Sequence, residues 1–468
     1  MSALEDLLDQ VDGQRPQHAA RLRAHVLAHL VCLGVHTVTG LISVLGGQFR
    51  DWSAHYRMYQ HSRIQPENLF DVVRRQVCAA QNGPVTVALD DTRVVKTSRK
   101  IHGVKYMRDP MGPRFRVNLV RAQRFVQISM ALPDKDGQAR MIPVDWRHAP
   151  LPVKPDKRAN AQQWARYERE RGQARIGCVG AAQIQALRRR MDEDGQSHRP
   201  LWVSVDGGFT NNAVLKDLPE NTTLIGRIRA DAKLYHLPDT QPAKGRRRVY
   251  GERAPTPEQL RQDDAHPWQD VEVHFGGQRR TLRAKRLAPL RWRCAGQRHD
   301  LQLVVLAPTA YRLSPKSRLL YRQPAYLICT DPNASLHDII QRYLWRWDIE
   351  VNFRDQKTLL GTGDAQVRTP AAVQNLTATA VAAYAMLLLA AEQCRQHNVP
   401  IHHLPTPKWR QKPARRVTTM DLINNLRHEL WAQSIHFSGF VNNAPKNTKP
   451  QKCDPTLQNA LFYASSYT

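Results

Sequence analysis

The spacing of apolar and polar positions predicts that the chain begins with helices. Apolar residues recur at helical spacing over 21–33, and a short glycine turn at 34–36 precedes a second helix that begins at Thr37. Two more helical segments are predicted, over 52–60 and 66–80. A helix, a glycine turn and a second helix suit either a DNA-binding helix-turn-helix or an ordinary corner of a helical bundle. We predict an all-α N-terminal domain over residues 1–80, with DNA binding as its hypothesis.

Beyond residue 84 the pattern changes to strands that alternate with a long helical region over 159–191. The predicted strands cover 85–89, 117–120, 125–132, 139–144, 201–205 and 224–228. Two of the most apolar strands end at carboxylates: one at Asp90 and Asp91, the other at Asp206. Alternating strands and helices of this kind predict an α/β core, which we place in residues 81–235 and 326–395.

Residues 236–325 interrupt this core and are rich in arginine and short alternating strands. Those strands are predicted over 271–275, 281–286, 290–294 and 301–307, so the segment is interpreted as a β-rich insertion. The apolar run over 378–391 is shorter than the roughly 20 residues that cross a bilayer, and it predicts a buried core helix and no membrane association. The remaining residues, 396–468, are polar and proline-rich around 404–416, with one short helix predicted over 420–433.

The charge of the chain points to a polyanionic partner. Lys and Arg total 69 against 41 Asp and Glu, a surplus of 69 − 41 = 28, and nucleic acid is the partner that such a surplus favours. The seven cysteines form no Cys-x-x-Cys pair, which argues against a zinc finger and suits a reducing compartment. Because the first residues lack a basic start followed by an apolar stretch, we expect a cytoplasmic protein.

The segment 341–357 carries the most specific chemical pattern. Tyr343 is followed by Arg346, Glu350 and Lys357 at offsets of 3, 7 and 14 residues. On one continuous helix, capped at its start by Ser335 and ended by Gly361, these side chains would share a stripe about 60° wide. An exposed helix with one Arg–Glu pair, worth about 0.3–0.5 kcal/mol, explains the pattern equally well. The functional interpretation is a site in which a carboxylate binds a metal ion while the cations and the hydroxyl bind phosphate oxygens.

Three carboxylate positions therefore stand out: Asp91 with its neighbour Asp90, then Asp206, then Glu350. Each aspartate alone is explained equally well as a turn or cap residue. If the fold brings the three positions together, their mutual repulsion requires a counter-charge, and two divalent ions about 3.5–4 Å apart would supply it. Ligation by oxygen alone favours Mg²⁺, or Mn²⁺, over zinc.

The pattern Tyr-x2-Arg-x3-Glu-x6-Lys resembles the signature of bacterial DDE transposases of the insertion-sequence-four type. Leu89-Asp-Asp-Thr92 resembles the family's first aspartate motif, and Val203-Ser-Val-Asp206 resembles its second. Asp206 and Glu350 lie 350 − 206 = 144 residues apart, which leaves room for the β-rich insertion typical of this group. The resemblance extends over roughly residues 20–395.

The resemblance implies a ribonuclease-H-like catalytic core in which Asp91, Asp206 and Glu350 hold two Mg²⁺ ions. Asp91 is assigned because it directly precedes Thr92, and the adjacent Asp90 is the alternative. Tyr343, Arg346 and Lys357 would then contact DNA phosphates near the cleaved end.

The same resemblance implies cut-and-paste transposition of an insertion sequence. Water attacks the phosphodiester at each element end, and the freed 3′-hydroxyl finally attacks target DNA, with no covalent protein–DNA intermediate. The implied partners are double-stranded DNA, as terminal inverted repeats and as target, and a second copy of the chain on paired ends. The implied location is the bacterial cytoplasm, at the nucleoid when the protein is bound to DNA.

Two other interpretations stay open. One is a nuclease or resolvase with the same core, and the other is a domesticated DNA-binding derivative that no longer cuts. The presence of all three acids argues against the second. Short inverted repeats flanking the gene would separate a mobile element from a domesticated protein.

Overall fold

A computed structural model describes residues 2–397 and 417–431, except for 13–14, 110–111, 113–114, 135, 242–244, 294, 296–298 and 315. The polar segment predicted over 404–416, and the last two residues of the helix predicted over 420–433, lie outside the described residues.

Helices occupy the start of the chain and recur between the strands. They are α1 (Ser2–Asp9), α2 (Pro16–Val31), α3 (Val38–Val44), α4 (Ser53–Gln60), α5 (Pro66–Ala79), α6 (Ala161–Gln173), α7 (Ile176–Glu193), α8 (Asn212–Leu215), α9 (Pro257–Gln262), α10 (Leu336–Trp345), α11 (Asp348–Thr358), α12 (Pro370–Gln396) and α13 (Thr419–Trp431), with a short 3₁₀ helix at Gly47–Phe49. The helical start predicted for the chain is therefore present in the structure.

The strands begin at Val85. They are β1 (Val85–Val95), β2 (Lys105–Arg108), β3 (Leu119–Pro133), β4 (Ala139–His148), β5 (Leu201–Val205), β6 (Thr222–Arg227), β7 (Leu234–His236), β8 (Gln269–Phe275), β9 (Gln278–Trp292), β10 (Leu301–Leu306), β11 (Ala310–Tyr311), β12 (Leu320–Tyr321) and β13 (Ala325–Cys329). Several are longer than predicted. The separate strands expected over 117–120 and 125–132 are one strand, β3, and those expected over 281–286 and 290–294 are parts of β9.

Most of the described strands belong to one mixed sheet. Its order is β2-β3-β1-β5-β6-β13-β10-β9-β7, with β4 on β3 and β8 on β9. β1, β5 and β6 run parallel, whereas β3 is antiparallel to β1. The strands of the predicted insertion join this sheet through β13, which pairs with β6, so the β-rich segment extends the sheet instead of forming a separate one.

Helix α12 is the centre of the helical layer. It packs against β4 on the sheet and against α1, α2, α4 and α5, so the N-terminal helices and the sheet share one hydrophobic core. By length and composition α12 is the one described helix that could cross a membrane, but its apolar window is almost entirely buried inside the protein. That burial agrees with the core helix predicted from the apolar run.

The candidate helix-turn-helix is α2, the turn after it, and α3. Thr37 caps α3 by accepting a hydrogen bond from the Gly40 N–H at 3.0 Å. Within α3 only Thr39 is exposed, and every other residue is buried. A recognition helix must present a row of side chains to the major groove. The structure therefore does not support α3 as an element that reads DNA.

The helical layer contains a cluster of buried histidines. His25 shares hydrogen bonds with Tyr59 at 2.9 Å and with His55 at 2.8 Å, and its burial lowers its pKa to about 3. His29 is buried one turn later, where burial lowers its pKa well below the usual value, and neither of its ring nitrogens has a partner among the described residues. These rings are therefore neutral in the folded protein.

We expect the free energy of unfolding to fall as the pH is lowered below about 6.5. The unfolded chain binds a proton at His25 near pH 6.5, whereas the folded chain does so only near pH 3. Stability is therefore complete above the unfolded pKa and falls by up to about 1.4 kcal/mol per pH unit for this histidine. Urea unfolding at a series of pH values measures the slope. His25→Gln should make it shallower, and an unchanged slope in that variant would contradict this explanation.

Candidate active site

The acidic site lies where the parallel pairing of β1 with β5 ends, while β1 itself continues to Val95 beside β3. The two strands pair in parallel with Leu89 opposite Val205, so Asp90 and Asp206 come next on the two strands. Helix α10 covers one face of this strand pair. The Arg342 guanidinium donates to the Thr86 hydroxyl on β1, and the Arg342 backbone carbonyl accepts from Ser204 Oγ on β5 at 3.2 Å. Alternate residues of a strand share a face, so Asp90 lies on the same side as Thr86.

Asp90 is held by the arginine of the predicted signature. Arg346 Nη1 donates to Asp90 Oδ2 at 2.9 Å, and the two side chains are only 10% and 14% exposed. Burial and then the negative charge of Asp206 raise the pKa of Asp90 to about 7, although Arg346 opposes the change. Asp90 is therefore subject to opposing charges, the cation of Arg346 and the carboxylate of Asp206.

Asp91 points to the opposite face of β1. Burial raises its pKa, while Arg124 and Arg93 oppose the rise. The charge of Lys357 also reaches Asp91. The structure thus places Asp90, and not the resemblance-implied Asp91, on the face that α10 covers.

Asp206 sits at the start of a tight turn. Its Oδ1 accepts from the Gly208 N–H at 2.9 Å, and its backbone carbonyl accepts from Thr210 Oγ1 at 2.8 Å. These two bonds hold the residue just beyond β5, with its carboxylate near both Asp90 and Asp91. The Gly207-Gly208 pair keeps this side of the carboxylate free of bulky side chains.

Glu350 lies in the first turn of α11. Its Oε1 is 3.6 Å from Arg346 Nη2, and the side chain is 42% exposed. Burial raises its pKa, Arg346 opposes this, and the charge of Asp206 adds to the rise. Arg346 therefore lies between two carboxylates, Asp90 and Glu350, and both of these interact with Asp206.

The single helix predicted for the signature is two helices. Ser335 does cap the first, accepting from the Asp338 N–H at 3.0 Å. The chain then tightens at Arg346 and Trp347, where the Ile349 and Glu350 N–H groups bond to carbonyls three residues back at 3.0 and 3.1 Å. Such bonds are those of a 3₁₀ turn, which rotates later side chains relative to a continuous α-helix. The helix is therefore interrupted within the signature, and Arg346 keeps contact with both Tyr343 and Glu350 across the interruption.

The remaining signature residues surround Arg346 or lie further along α11. The Arg346 guanidinium lies over the Tyr343 ring at 5.5 Å, and burial raises the pKa of that phenol. Lys357 is exposed near the end of α11, and its desolvation lowers the amine pKa while Asp91 opposes the change. Arg346 Nε is buried and has no hydrogen-bond partner in the described part of the chain, so an incoming oxygen would reach it only after the side chain moves.

The donor set suits a hard divalent ion. Carboxylate oxygens are the ligands that Mg²⁺ and Mn²⁺ prefer, and a bound cation would oppose both the burial and the negative charge of Asp206 that raise the pKa of Asp90. Within the described residues, however, no three acidic, His or Cys side chains are gathered tightly enough to enclose an ion. Glu350, the most exposed acid, would have to turn from Arg346 toward Asp206.

Three arginines near the acids were not identified from the sequence. Arg93 and Arg124 flank Asp91, and Arg227 affects the pKa of Tyr343. Arg227 ends β6, the strand next to β5, and it lines a cleft of about 1400 Å³ that begins beside Gly207. The rule that ligands gather at the carboxyl ends of parallel strands would have singled out Arg227.

Comparison with known families identifies the chain. The sequence model described as DDE superfamily endonuclease matches residues 6–299. The chain belongs to this family. No curated protein matches it.

The predicted class of this DDE endonuclease is thus confirmed at the level of the superfamily, together with DNA as its substrate. Enzymes of this superfamily generally use divalent metal ions. The matched residues include Asp90, Asp91 and Asp206 and end before α10. The match therefore does not extend to Glu350 or to the other signature residues, and it does not test the insertion-sequence-four-type subgroup.

Proposed function

We propose that this DDE endonuclease is a transposase that moves an insertion sequence by cut-and-paste, through hydrolysis of phosphodiesters and strand transfer. One observation carries the proposal: Asp90 and Asp206 follow directly after the paired residues of two parallel strands, and Arg346, in the turn just before the helix of Glu350, lies between Asp90 and Glu350. The surplus of 28 positive charges supports DNA as the substrate.

The fold proposed for the catalytic core is ribonuclease-H-like, built on β4-β3-β1-β5-β6 with α7 on one face and α10 and α11 on the other. Support comes from the parallel β1, β5 and β6, and from Asp90 and Asp206, which come directly after the residues that pair β1 with β5. The spacing of Tyr343, Arg346, Glu350 and Lys357 supports membership of the insertion-sequence-four-type group.

The proposed ligands of two Mg²⁺ or Mn²⁺ ions are Asp206, Glu350 and one acid of β1. We favour Asp90 for that third place, because it shares a face with α10 and is bonded at 2.9 Å to Arg346, which also pairs with Glu350. Asp91, which the resemblance implies, is the alternative. When bound, such ions supply an activated water and stabilise the leaving oxygen.

The other side chains bind and orient the DNA. Arg346 would donate to a phosphate oxygen, and cations held by Asp90 and Glu350 would weaken the ion pairs that now engage its guanidinium. The Tyr343 hydroxyl and the Lys357 amine contact phosphates next to the cleaved bond. A dimer on paired element ends is part of the proposal, as is a bacterial cytoplasmic location.

We expect Arg346→Lys and Lys357→Gln each to weaken binding of a pre-cleaved DNA end about tenfold, since a charge-assisted hydrogen bond contributes about 1.5–3 kcal/mol. Arg346→Lys keeps a cation beside the buried Asp90, so the fold should survive. Fluorescence anisotropy in EDTA measures the binding, and Arg75→Gln, an exposed arginine on α5, is the matched control. Normal affinity in both site variants would remove these residues from the phosphate contacts.

The products distinguish a transposase from a nuclease with the same core. Incubation with Mg²⁺, DNA carrying the element's ends and a plasmid target should yield cleaved ends and then joined products. Cleavage without joining, under conditions in which pre-cleaved ends also fail to join, would favour the nuclease or resolvase. Binding without cleavage in any divalent metal would favour a derivative that no longer cuts.

A further inference from the structure

A two-stranded ribbon extends the sheet beyond the acidic site. β2 pairs with the start of β3, from Lys105 opposite Ala122 to Arg108 opposite Leu119. We call β2 with residues 115–121 the basic ribbon. It lies at the edge of the sheet, because β2 is the terminal strand in the sheet order.

The basic ribbon exposes large apolar side chains. Phe115 is 92% exposed, Val117 72%, and Tyr106 and Leu119 are each 56% exposed. An exposed apolar group of this size on an edge strand is usually covered by a partner.

The charge around the ribbon selects a polyanion. Residues 93–124 contain ten Lys or Arg and a single acid, Asp109. Arg108 and Arg116 are exposed, and within the described residues neither forms an ion pair. A second copy of the same ribbon would bring like charges together, which is unfavourable, so DNA is the complementary partner.

Part of the cationic surface is already ordered. Tyr106 and Arg121 lie opposite each other across the two strands, and the guanidinium stacks over the phenol ring at 5.5 Å. Arg121 also donates to the Thr97 carbonyl, and Arg99 bonds to the Tyr106 hydroxyl. These contacts fix an aromatic ring and two cations on one outer face without the help of a ligand.

The ribbon also lies at a usable distance from the acids. On β3, Leu119 is seven residues before Val126, the partner of Asp91. At about 3.4 Å per residue this is roughly 24 Å, or about seven base pairs of duplex DNA. The ribbon and the acids can therefore contact a single duplex.

We propose that the basic ribbon binds in the major groove of duplex DNA about seven base pairs from the cleaved bond. A two-stranded β-ribbon has the width that the major groove accepts, and arginines at its edges reach the phosphates. The proposal rests on the proposed function, since it takes the acids as the place of cleavage. The exposed ribbon, and not the buried α3, then contacts the DNA.

The test measures DNA binding in EDTA, so cleavage does not enter. Binding to a fluorescein-labelled duplex that carries the element's end is measured over a series of salt concentrations for three full-length chains. They are the wild type, the ribbon variant Arg108→Gln/Arg116→Gln and the control pair Arg75→Gln/Arg189→Gln. The control pair removes two exposed charges, one from α5 and one from α7, so it changes the net charge by as much as the ribbon variant does. Circular dichroism and thermal melting confirm that all three chains fold.

We expect the ribbon variant to bind about tenfold or more weakly and its salt slope to fall by about two, while the control pair stays near wild type. Phosphate ethylation should interfere with wild-type binding about seven base pairs from the cleaved bond, but not with binding of the ribbon variant. Equal affinity and slope in ribbon variant and wild type would overturn the proposal and leave the transposase function standing. Loss of self-association with unchanged DNA binding would also overturn it, in favour of a second copy. A wild-type chain that binds no DNA at all would overturn both.

Discussion

Replacing Glu350 by glutamine should abolish DNA cleavage, by on the order of a thousandfold or more, while DNA binding stays largely intact. The substitution removes one negative oxygen from the proposed metal ligands and preserves the shape of the side chain. Glu350 is 42% exposed, and its ion pair with Arg346, the one it forms among the described residues, has a long separation of 3.6 Å. Its charge therefore contributes little to folding.

The measurement is single-turnover cleavage of an element end in Mg²⁺, beside anisotropy in EDTA. Glu193→Gln is the matched control, because Glu193 is exposed at the last residue of α7 and the charge change is the same. Cleavage by Glu350→Gln at the wild-type rate would exclude Glu350 from the site. Loss of folding in this variant would show that the residue has a structural role instead.

Replacing Asp90 by asparagine should have an effect as large, whereas Asp91→Asn should keep most of the cleavage activity. Asp90 faces α10, pairs with Arg346 at 2.9 Å and repels Asp206. Asp91 faces the other way, where the charges of Arg124 and Arg93 oppose the effect of its burial. The two variants differ by one position and by the face of β1, so they form a matched pair.

A ligand role for Asp90 also has a chemical signature. Asp90→Cys should be inactive in Mg²⁺ and recover part of its activity in Mn²⁺, because a thiolate accepts the softer ion more readily. A merely structural role of Asp90 would give no such change of metal preference. If instead Asp91→Asn is the inactive variant and Asp90→Asn cleaves normally, the first acid is Asp91, as the motif before Thr92 implies.

The sequence pattern predicted where the acids lie along the chain, but it did not predict which face of the strand each acid occupies. The apolar run before Asp206 ends where β5 ends, because a buried strand leaves the core where polar residues begin, whereas β1 continues past Asp90 to Val95 beside β3. Which of two adjacent aspartates faces a helix depends on the pairing register with β5 and on the helix that covers the sheet. Neither is encoded near Asp90, since Arg346 lies 346 − 90 = 256 residues away.

Local pattern also missed two features of the architecture. A helix pattern across 335–361 does not reveal the 3₁₀ turn at Arg346 and Trp347. Both residues keep helical backbone angles, and the turn shows only in hydrogen bonds that reach back three residues instead of four. The alternating pattern predicted the strands of the β-rich segment but not the sheet that they join. That sheet is set by the pairing of β13 with β6, which are far apart in the sequence. For α3 the helix was predicted and its burial was not, since that burial comes from packing with distant elements.

The most direct test of the transposase assignment is a cleavage assay with the purified full-length chain, Mg²⁺ or Mn²⁺, and DNA that carries the sequences flanking its own gene. Metal-dependent nicking at the element boundary by the wild type, absent from Glu350→Gln, is the expected result. Specific binding of those ends without any cut in either metal would contradict an active transposase and favour a DNA-binding derivative.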